Sequence, residues 1–261
     1  MGDITQLGTA TGVTFTITNS GDNQNFTVRA TAITGDGTVT PTLAAGVVDN
    51  AGATAVNTAS VATDGDVTYD TTAPVITNDS YTGTSGAIGN TTLNTATFGL
   101  SSLLANDTDD STLTAQPVTD QATSLGGRVT IATDGSFVYN PPLGITNTTD
   151  NFNYTALDAL GNSTTGQVSV EISLLVWYVM NYTTGNGNDG DFANPFDTLD
   201  EAETASADGD IIFVYEGDAT STGQSDGIIL KSNQTLLGQG VDLVVNSRTI
   251  VQKTSHSLVI G

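Results

Sequence analysis

The chain has no cysteine, one histidine and only five basic residues among 261. The missing cysteine excludes disulfides, thiol catalysis and thiolate metal sites together. The scarcity of cations excludes nucleic-acid binding, because no basic stripe exists to release phosphate counter-ions. Anionic membrane surfaces are excluded on the same ground. Arg29, Arg128, Lys231, Arg248 and Lys253 are spread over most of the sequence and form no patch. Long apolar runs are also absent. The longest, Leu174-Leu-Val-Trp-Tyr-Val-Met180, is far too short to span a bilayer. Met1-Gly-Asp-Ile-Thr5 lacks the basic start and apolar core of a secretory signal.

What is abundant is acid of one kind. Of 28 acidic residues, 24 are Asp, and the formal charge is −23. Glu favours helices, whereas Asp favours turns and caps, where its short carboxylate accepts from nearby backbone N–H groups. The negative charge is therefore expected in loops between strands, where it offers hard oxygen ligands to calcium. Together with plentiful Thr, Gly, Asn and Val, this composition reads as an all-β, multi-module, extracellular chain. A secreted eukaryotic module would more often carry disulfides, so a bacterial surface protein is favoured. An extracellular composition without a signal is expected of a piece of a longer protein.

Three segments follow along the chain. Residues 1–76 alternate in period two, as in Val13-Thr-Phe-Thr-Ile17 and Phe26-Thr-Val-Arg-Ala30, which predicts half-buried strands. Gly21-Asp22-Asn23, Gly35-Asp36-Gly37 and Asp49-Asn50-Ala51-Gly52 predict turns. The segment closes on Tyr69-Asp-Thr-Thr-Ala-Pro74. Val48-Asp-Asn-Ala-Gly52 followed by this closing strand resembles the bacterial Ig-like repeats of surface adhesins. Those modules begin with further strands, so the first module is expected to be truncated.

Residues 77–173 contain Ser102-Leu-Leu-Ala-Asn-Asp-Thr-Asp-Asp110, Gly127-Arg-Val-Thr-Ile131 and Asp134-Gly-Ser-Phe-Val-Tyr-Asn-Pro141. Asp150-Asn-Phe-Asn-Tyr154, Asp158-Ala-Leu-Gly-Asn162 and Val168-Ser-Val-Glu-Ile172 follow. Phe137 with Tyr139, and Phe152 with Tyr154, sit two apart, so each pair faces one side of its strand. With Val168, Val170 and Ile172 they are expected to fill a sandwich core. In order and spacing these motifs resemble the cadherin-like tandem repeats of bacterial adhesins.

Residues 174–261 change character. Asn194-Pro-Phe-Asp-Thr-Leu-Asp-Glu-Ala202 is the one strong helix signal, with Asn194 as cap and Pro195 at the first helical position. Short apolar strands are predicted at Ile211–Tyr215, Ile228–Leu230, Leu236–Leu237, Leu243–Val245, Ile250–Val251 and Leu258–Ile260, the mark of stacked coils of roughly 20-odd residues. The stretch resembles the entry of a right-handed, pectin-lyase-like parallel β-helix, on Trp177-Tyr-Val, Asn194-Pro-Phe-Asp-Thr-Leu199, Asp210-Ile-Ile-Phe-Val-Tyr-Glu-Gly217, Gly227-Ile-Ile-Leu-Lys231 and Leu236-Leu-Gly-Gln-Gly240. The expected fold is all-β: two Ig/cadherin-like sandwiches, the first truncated, then the entry coils of a β-helix with one short capping helix.

Asn106-Asp-Thr-Asp-Asp110 is the leading metal candidate, since Asn106, Asp107, Asp109 and Asp110 crowd four oxygen-bearing side chains into five residues. It is not an EF-hand, because Thr112 stands where Gly is needed and Val118 where Glu is needed. The bland alternative is a solvated Asx-turn loop. Asp70, with Asn78-Asp79, could hold an ion at the module junction, and Asp49 resembles a ligand of the adhesin repeats. Asp64-Gly-Asp66, Asp189-Gly-Asp191 and Asp208-Gly-Asp210 are first of all turns.

Catalysis has few candidates. His256 is the single histidine, so no Ser-His-Asp arrangement can be argued. The expected function is non-enzymatic: a calcium-stiffened stalk segment of a bacterial cell-surface adhesin, with a cell-surface or matrix ligand, carbohydrate among the candidates. The alternative is that these are accessory modules and first coils of a secreted β-helix polysaccharide lyase or hydrolase. Carbohydrate binding by the sandwiches themselves would need exposed aromatics, and the aromatics here have core-facing spacing.

Overall fold

Threonine alternating with apolar residues favours extended backbone, and strand pairs dominate the chain. The computed structural model describes residues 4–21, 26–46, 57–60, 65–181, 188–218 and 220–254. It divides into two compact units, Met1–Ala73 and Pro74–Gly261.

The first unit holds six short strands among its described residues: β1 (Ile4–Gln6), β2 (Thr14–Asn19), β3 (Phe26–Ala32), β4 (Gly37–Val39), β5 (Pro41–Leu43) and β6 (Val67–Tyr69). They pair antiparallel as β1–β5, β2–β3 and β4–β6. In the β2–β3 ribbon Phe15 lies opposite Ala30 and Ile17 opposite Val28, so one face is apolar. Ile17, Phe26 and Val28 nevertheless stay exposed. The expected strands are present, joined in pairs.

The second unit begins with β7 (Asp79–Tyr81), β8 (Ala87–Gly89), β9 (Leu93–Asn94) and the single-turn helix α1 (Thr95–Phe98). Then come β10 (Thr114–Ala115), β11 (Val118–Ala122), β12 (Arg128–Ile131), β13 (Phe137–Asn140), β14 (Thr148–Leu157) and β15 (Ser163–Val179). One sheet runs β11–β12–β13–β9. In the other, β15 is flanked by β14 on one side and by β7 and β8 on the other. Between the sheets lie Tyr81, Leu93, Leu103, Val129, Ile131, Phe137, Tyr139, Phe152, Tyr154, Val168, Val170 and Ile172. This is a β-sandwich, and the four aromatics read from the sequence are in its core. Phe137 meets Tyr81 and Phe152 edge-on, at ring separations of 5.0 and 5.4 Å.

Strand β15 does not stop where the sequence changes character. A bulge shifts its register against β8 between Ser173 and Leu175, with Leu174 at φ 58°. Beyond it, Leu175 to Val179 are all buried. Leu175, Trp177 and Val179 pack with Phe196, Leu199 and Ile212 on one face, and Val176 and Tyr178 pack with Ile88, Phe213 and Leu243 on the other. A strand covered on both faces is what a continuous apolar run supplies. The segments 77–173 and 174–261 therefore share one strand inside one compact unit.

The rest is helix α2 (Leu199–Ala205), then β16 (Ile211–Val214), β17 (Thr235–Gly238), β18 (Leu243–Val245) and β19 (Arg248–Val251). Strands β15, β16 and β17 pair in parallel, with Val176 opposite Ile211 and Ile211 opposite Thr235. Three expectations fail here. The helix starts at Leu199, not after Asn194, and Thr198 caps it in a reciprocal box with Glu201. The reason is that Phe196 is held extended against β15: its N–H donates to the Tyr178 carbonyl at 2.8 Å, and its carbonyl accepts from Met180 N–H at 2.8 Å. Asn194 serves instead in a turn closed by Asp191. Nor do the later strands continue the parallel stack. β18 and β19 form an antiparallel hairpin, because Asn246 and Ser247 both take positive φ, the two-residue turn that matches strand twist. Ile228–Leu230 is not a strand, and Leu258–Ile260 lies outside the described residues.

Arg248 ties that hairpin to the sandwich. Its guanidinium donates to the Gly86 carbonyl and lies 5.1 Å over the Phe98 ring. Burial holds its pKa below the usual arginine value.

Candidate functional site

The acidic loop at one pole of the sandwich is built from a short leucine plug. Leu103 is fully buried, and its N–H donates to the Gly135 carbonyl at 3.0 Å, so the chain after it turns back along the strand edge. Val75 and Thr108 exchange two backbone hydrogen bonds, of 2.9 and 3.0 Å. Asn106 and Asp107 complete the clasp. Asn106 Nδ2 donates to the Thr77 carbonyl at 3.1 Å, and Thr77 N–H donates to Asp107 Oδ1 at 3.0 Å. The Tyr154 hydroxyl reaches from the core to donate to Asp107 Oδ2 at 2.7 Å.

Asp79 lies beside this clasp. Its Oδ2 is buried and has no hydrogen-bond partner among the described residues. Its pKa is raised to about 6, first by burial and then by the Asp107 charge, with the nearby polar groups of Tyr154 and Asn106 acting in the opposite sense. Burial, with the acidic neighbours Asp107 and Asp79, drives the Tyr154 hydroxyl well above the usual tyrosine range. A cavity of about 500 Å³ opens next to Asp79, lined also by Ser80, Ser85, Ser101, Ser102 and Asn106.

The remaining candidates fall elsewhere. Asp109 accepts from Ser111 N–H at 2.9 Å and from Ser111 Oγ at 2.7 Å, an Asx-type turn, while its Oδ1 is buried without a partner among the described residues. Asp110 is exposed. Asp70 belongs to the first unit, where it accepts from Thr72 N–H at 2.9 Å. Asp49 and His256 lie outside the described residues. Of the Asp-Gly-Asp turns, Asp191 accepts from Ala193 and Asn194 N–H groups, and buried Asp210 accepts from Ala207 N–H and Trp177 Nε1. These carboxylates hold turns and, at Asp210, a core tryptophan.

A second carboxylate group was not singled out from the sequence. Asp150 is fully buried in the sandwich. It accepts from Ser124 Oγ, Leu125 N–H, Tyr139 Oη and Asn151 N–H, each at 2.8 Å, and from Thr123 Oγ1. Burial alone would raise its pKa, but the hydrogen bonds from Thr123, Ser124, Leu125 and Tyr139 outweigh burial and hold it below the usual value. The signal was available. Asp150 shares the inward parity of Phe152 and Tyr154, and Asp79 that of Tyr81, so both had to face the core.

The fold of the second unit up to the bulge is that of an Ig-like β-sandwich. In agreement, residues 70–171 match the family model for the bacterial Ig domain. The match lies mainly on the sandwich whose motifs resemble cadherin-like repeats and takes in only residues 70–76 of the first segment. Bacterial Ig domains are common in surface and extracellular proteins and point to a structural role there. No curated protein matches the chain. Among the described residues, no helix is long and apolar enough to cross a membrane.

Proposed function

We propose that this chain is a structural spacer within a bacterial surface adhesin, one that catalyses no reaction. The observation that carries this reading is the continuity of β15, which joins an Ig-like sandwich to a parallel ladder in one compact unit. A stalk needs such rigid coupling, whereas a catalytic module needs a cleft with convergent reactive groups. The carboxylates described above are engaged mainly in closing turns and clasping loops. The cell surface or the extracellular medium is the proposed location, and a surface or matrix ligand the proposed partner.

Calcium belongs to the same proposal. Asp109 and Asp110 would hold it, since Asp109 retains an oxygen without a donor and Asp110 is exposed. Such hard oxygens suit calcium, and binding would relieve repulsion in a chain of charge −23. Asn106 and Asp107 support the site by fixing the loop to Thr77. A thermal melt with millimolar calcium and then with chelator tests this part. A melting point indifferent to both refutes calcium stiffening. Labelling intact bacteria with antibody against residues 74–254, before and after external protease, tests the location. Absence of surface label refutes the adhesin reading.

A second reading is kept because one observation favours it. The parallel strands β16 and β17 sit in register 24 residues apart, from Ile211 to Thr235, as consecutive coils of a β-helix would. On that reading the sandwich is an accessory module of a secreted polysaccharide lyase or hydrolase. Release of unsaturated or reducing sugar ends from a panel of polysaccharides by the parent protein would favour it over the spacer.

A further inference from the structure

We infer that β7, β8, β15, β16 and β17 form a load path that resists tension in shear. The inference rests on pairing direction. β7 and β8 both pair with β15 in parallel, β15 pairs with β16 in parallel, and β16 with β17 in parallel. The chain therefore enters each of these strands at one end of the sheet and leaves at the other. It reaches β7 from Pro74 at the entry end and leaves β17 after Gly238 at the exit end. Tension between those points pulls β7 one way and β17 the opposite way, along the strand axes. Every interface on the path is then loaded along its length, and its hydrogen bonds must fail together. The antiparallel β14–β15 hairpin lies off this path.

Side chains reinforce the first interface. Asn78 Oδ1 accepts from Gln167 N–H at 3.0 Å just before the β7 ladder begins, and Glu171 Oε2 accepts from Gly83 N–H at 2.8 Å just after it ends. Between them Asp79, Ser80 and Tyr81 pair with Val168, Ser169 and Val170, and β8 continues the contact from Ile172 to Leu175. Residues 78–89 are thus laid along β15 from Gln167 to Leu175. Tyr81, Val168 and Val170 are buried in the sandwich core, so sliding would also expose apolar surface.

The biological meaning rests on the spacer reading, but the mechanics belong to the fold and are measured separately. The absence of cysteine makes introduced thiols unique pulling handles. Val75→Cys and Leu160→Cys use exposed side chains, and a Cβ at Gly240 meets no atom within 4 Å. In single-molecule force spectroscopy of the full chain, handles at 75 and 240 load the parallel path lengthwise. Handles at 75 and 160 pull from the same end of the sheet and peel β7 from β15 one residue pair at a time. The lengthwise rupture force is expected to be at least twofold the peeling force. Thr235→Pro removes the N–H that donates to the Asp210 carbonyl at 3.1 Å on β17, and is expected to lower the lengthwise force alone. A lengthwise force equal to or below the peeling force overturns the inference, as does a Thr235→Pro chain weakened equally in both directions. Either failure leaves the surface-labelling result, and hence the spacer reading, standing by itself.

Discussion

The Tyr154 hydroxyl donates to Asp107 Oδ2 at 2.7 Å, so one side chain serves two purposes. Its ring is part of the sandwich core, and its oxygen secures the acidic loop at the pole. Tyr154→Phe keeps the ring and removes only the donor. A hydrogen bond to a charged acceptor contributes about 1.5–3 kcal/mol, and the lower end applies here because Asp107 also accepts from Thr77 N–H. We expect a loss of about 1.5 kcal/mol in urea unfolding with an unchanged m-value. Hydrogen exchange should quicken at Thr77 and Thr108, while the β12 and β13 amides keep their protection.

Gly166 lies opposite Tyr154 across the β14–β15 ladder. A Cβ there would meet Tyr154 Cε1 at 2.5 Å and Ile76 Cγ2 at 2.6 Å. Gly166→Ala must therefore displace the ring whose hydroxyl holds Asp107. The expected cost is about 1–3 kcal/mol, the range for overpacking a filled site. Combined with Tyr154→Phe it should cost less than the sum of the two, because both changes release the same loop. A double-mutant cycle by urea titration measures the shortfall, and strict additivity would disprove the coupling.

Asp79 and Asp150 should give opposite pH dependences. Folding raises the Asp79 pKa from 3.8 to about 6, so the folded state holds that proton more tightly. Its effect on stability is most favourable below about pH 4 and is lost as pH rises through about 6. Solvent reaches part of this site, so the full change is discounted to about 1 kcal/mol. Asp79→Asn should flatten the curve between pH 4 and 7 and raise the melting point at pH 7.5. Asp150 has a depressed pKa, so its contribution is complete above the unfolded value of 3.8 and is lost on acidification below it. Asp150→Ala strands the Tyr139, Ser124 and Leu125 donors and should cost about 3–5 kcal/mol at neutral pH. Melting curves from pH 3 to 8 check both.

How these positions read in the sequence follows from what each signal encodes. Period-two spacing placed Phe137, Tyr139, Phe152 and Tyr154 in one core, because strand parity is local information. The same parity put Asp79 and Asp150 inside, but an acidic residue on an inward face reads as loop chemistry until its partners are known. Those partners, Tyr139 and Thr123 for Asp150, lie 11 and 27 residues away. The start of α2 departs from its local signals for a related reason. Asn194-Pro-Phe carries good local capping signals, yet the long-range pairing of Phe196 with Tyr178 and Met180 overrides them and hands the cap to Thr198. Continuity of β15 was hidden because a bulge reverses the inward parity. Read residue by residue, the change after Ile172 looks like the end of a module.

That bulge yields the last prediction. Leu174 sits at φ 58°, where a leucine costs about 1–2 kcal/mol relative to extended backbone. Its side chain is 42% exposed, so little burial repays the strain. Its carbonyl accepts from Thr146 Oγ1 at 2.9 Å, which fixes the peptide in place. Glycine relieves the strain but loses about 0.5–1 kcal/mol of backbone entropy. Leu174→Gly should therefore leave stability unchanged or raise it by about 1 kcal/mol. Leu175, its neighbour, is buried beside Trp177 and Val179, and Leu175→Ala should cost about 2–5 kcal/mol. The contrast between adjacent leucines separates strain from packing. If Leu174→Gly loses as much as Leu175→Ala, the bulge is held by the Leu174 side chain and the positive φ carries no stored energy.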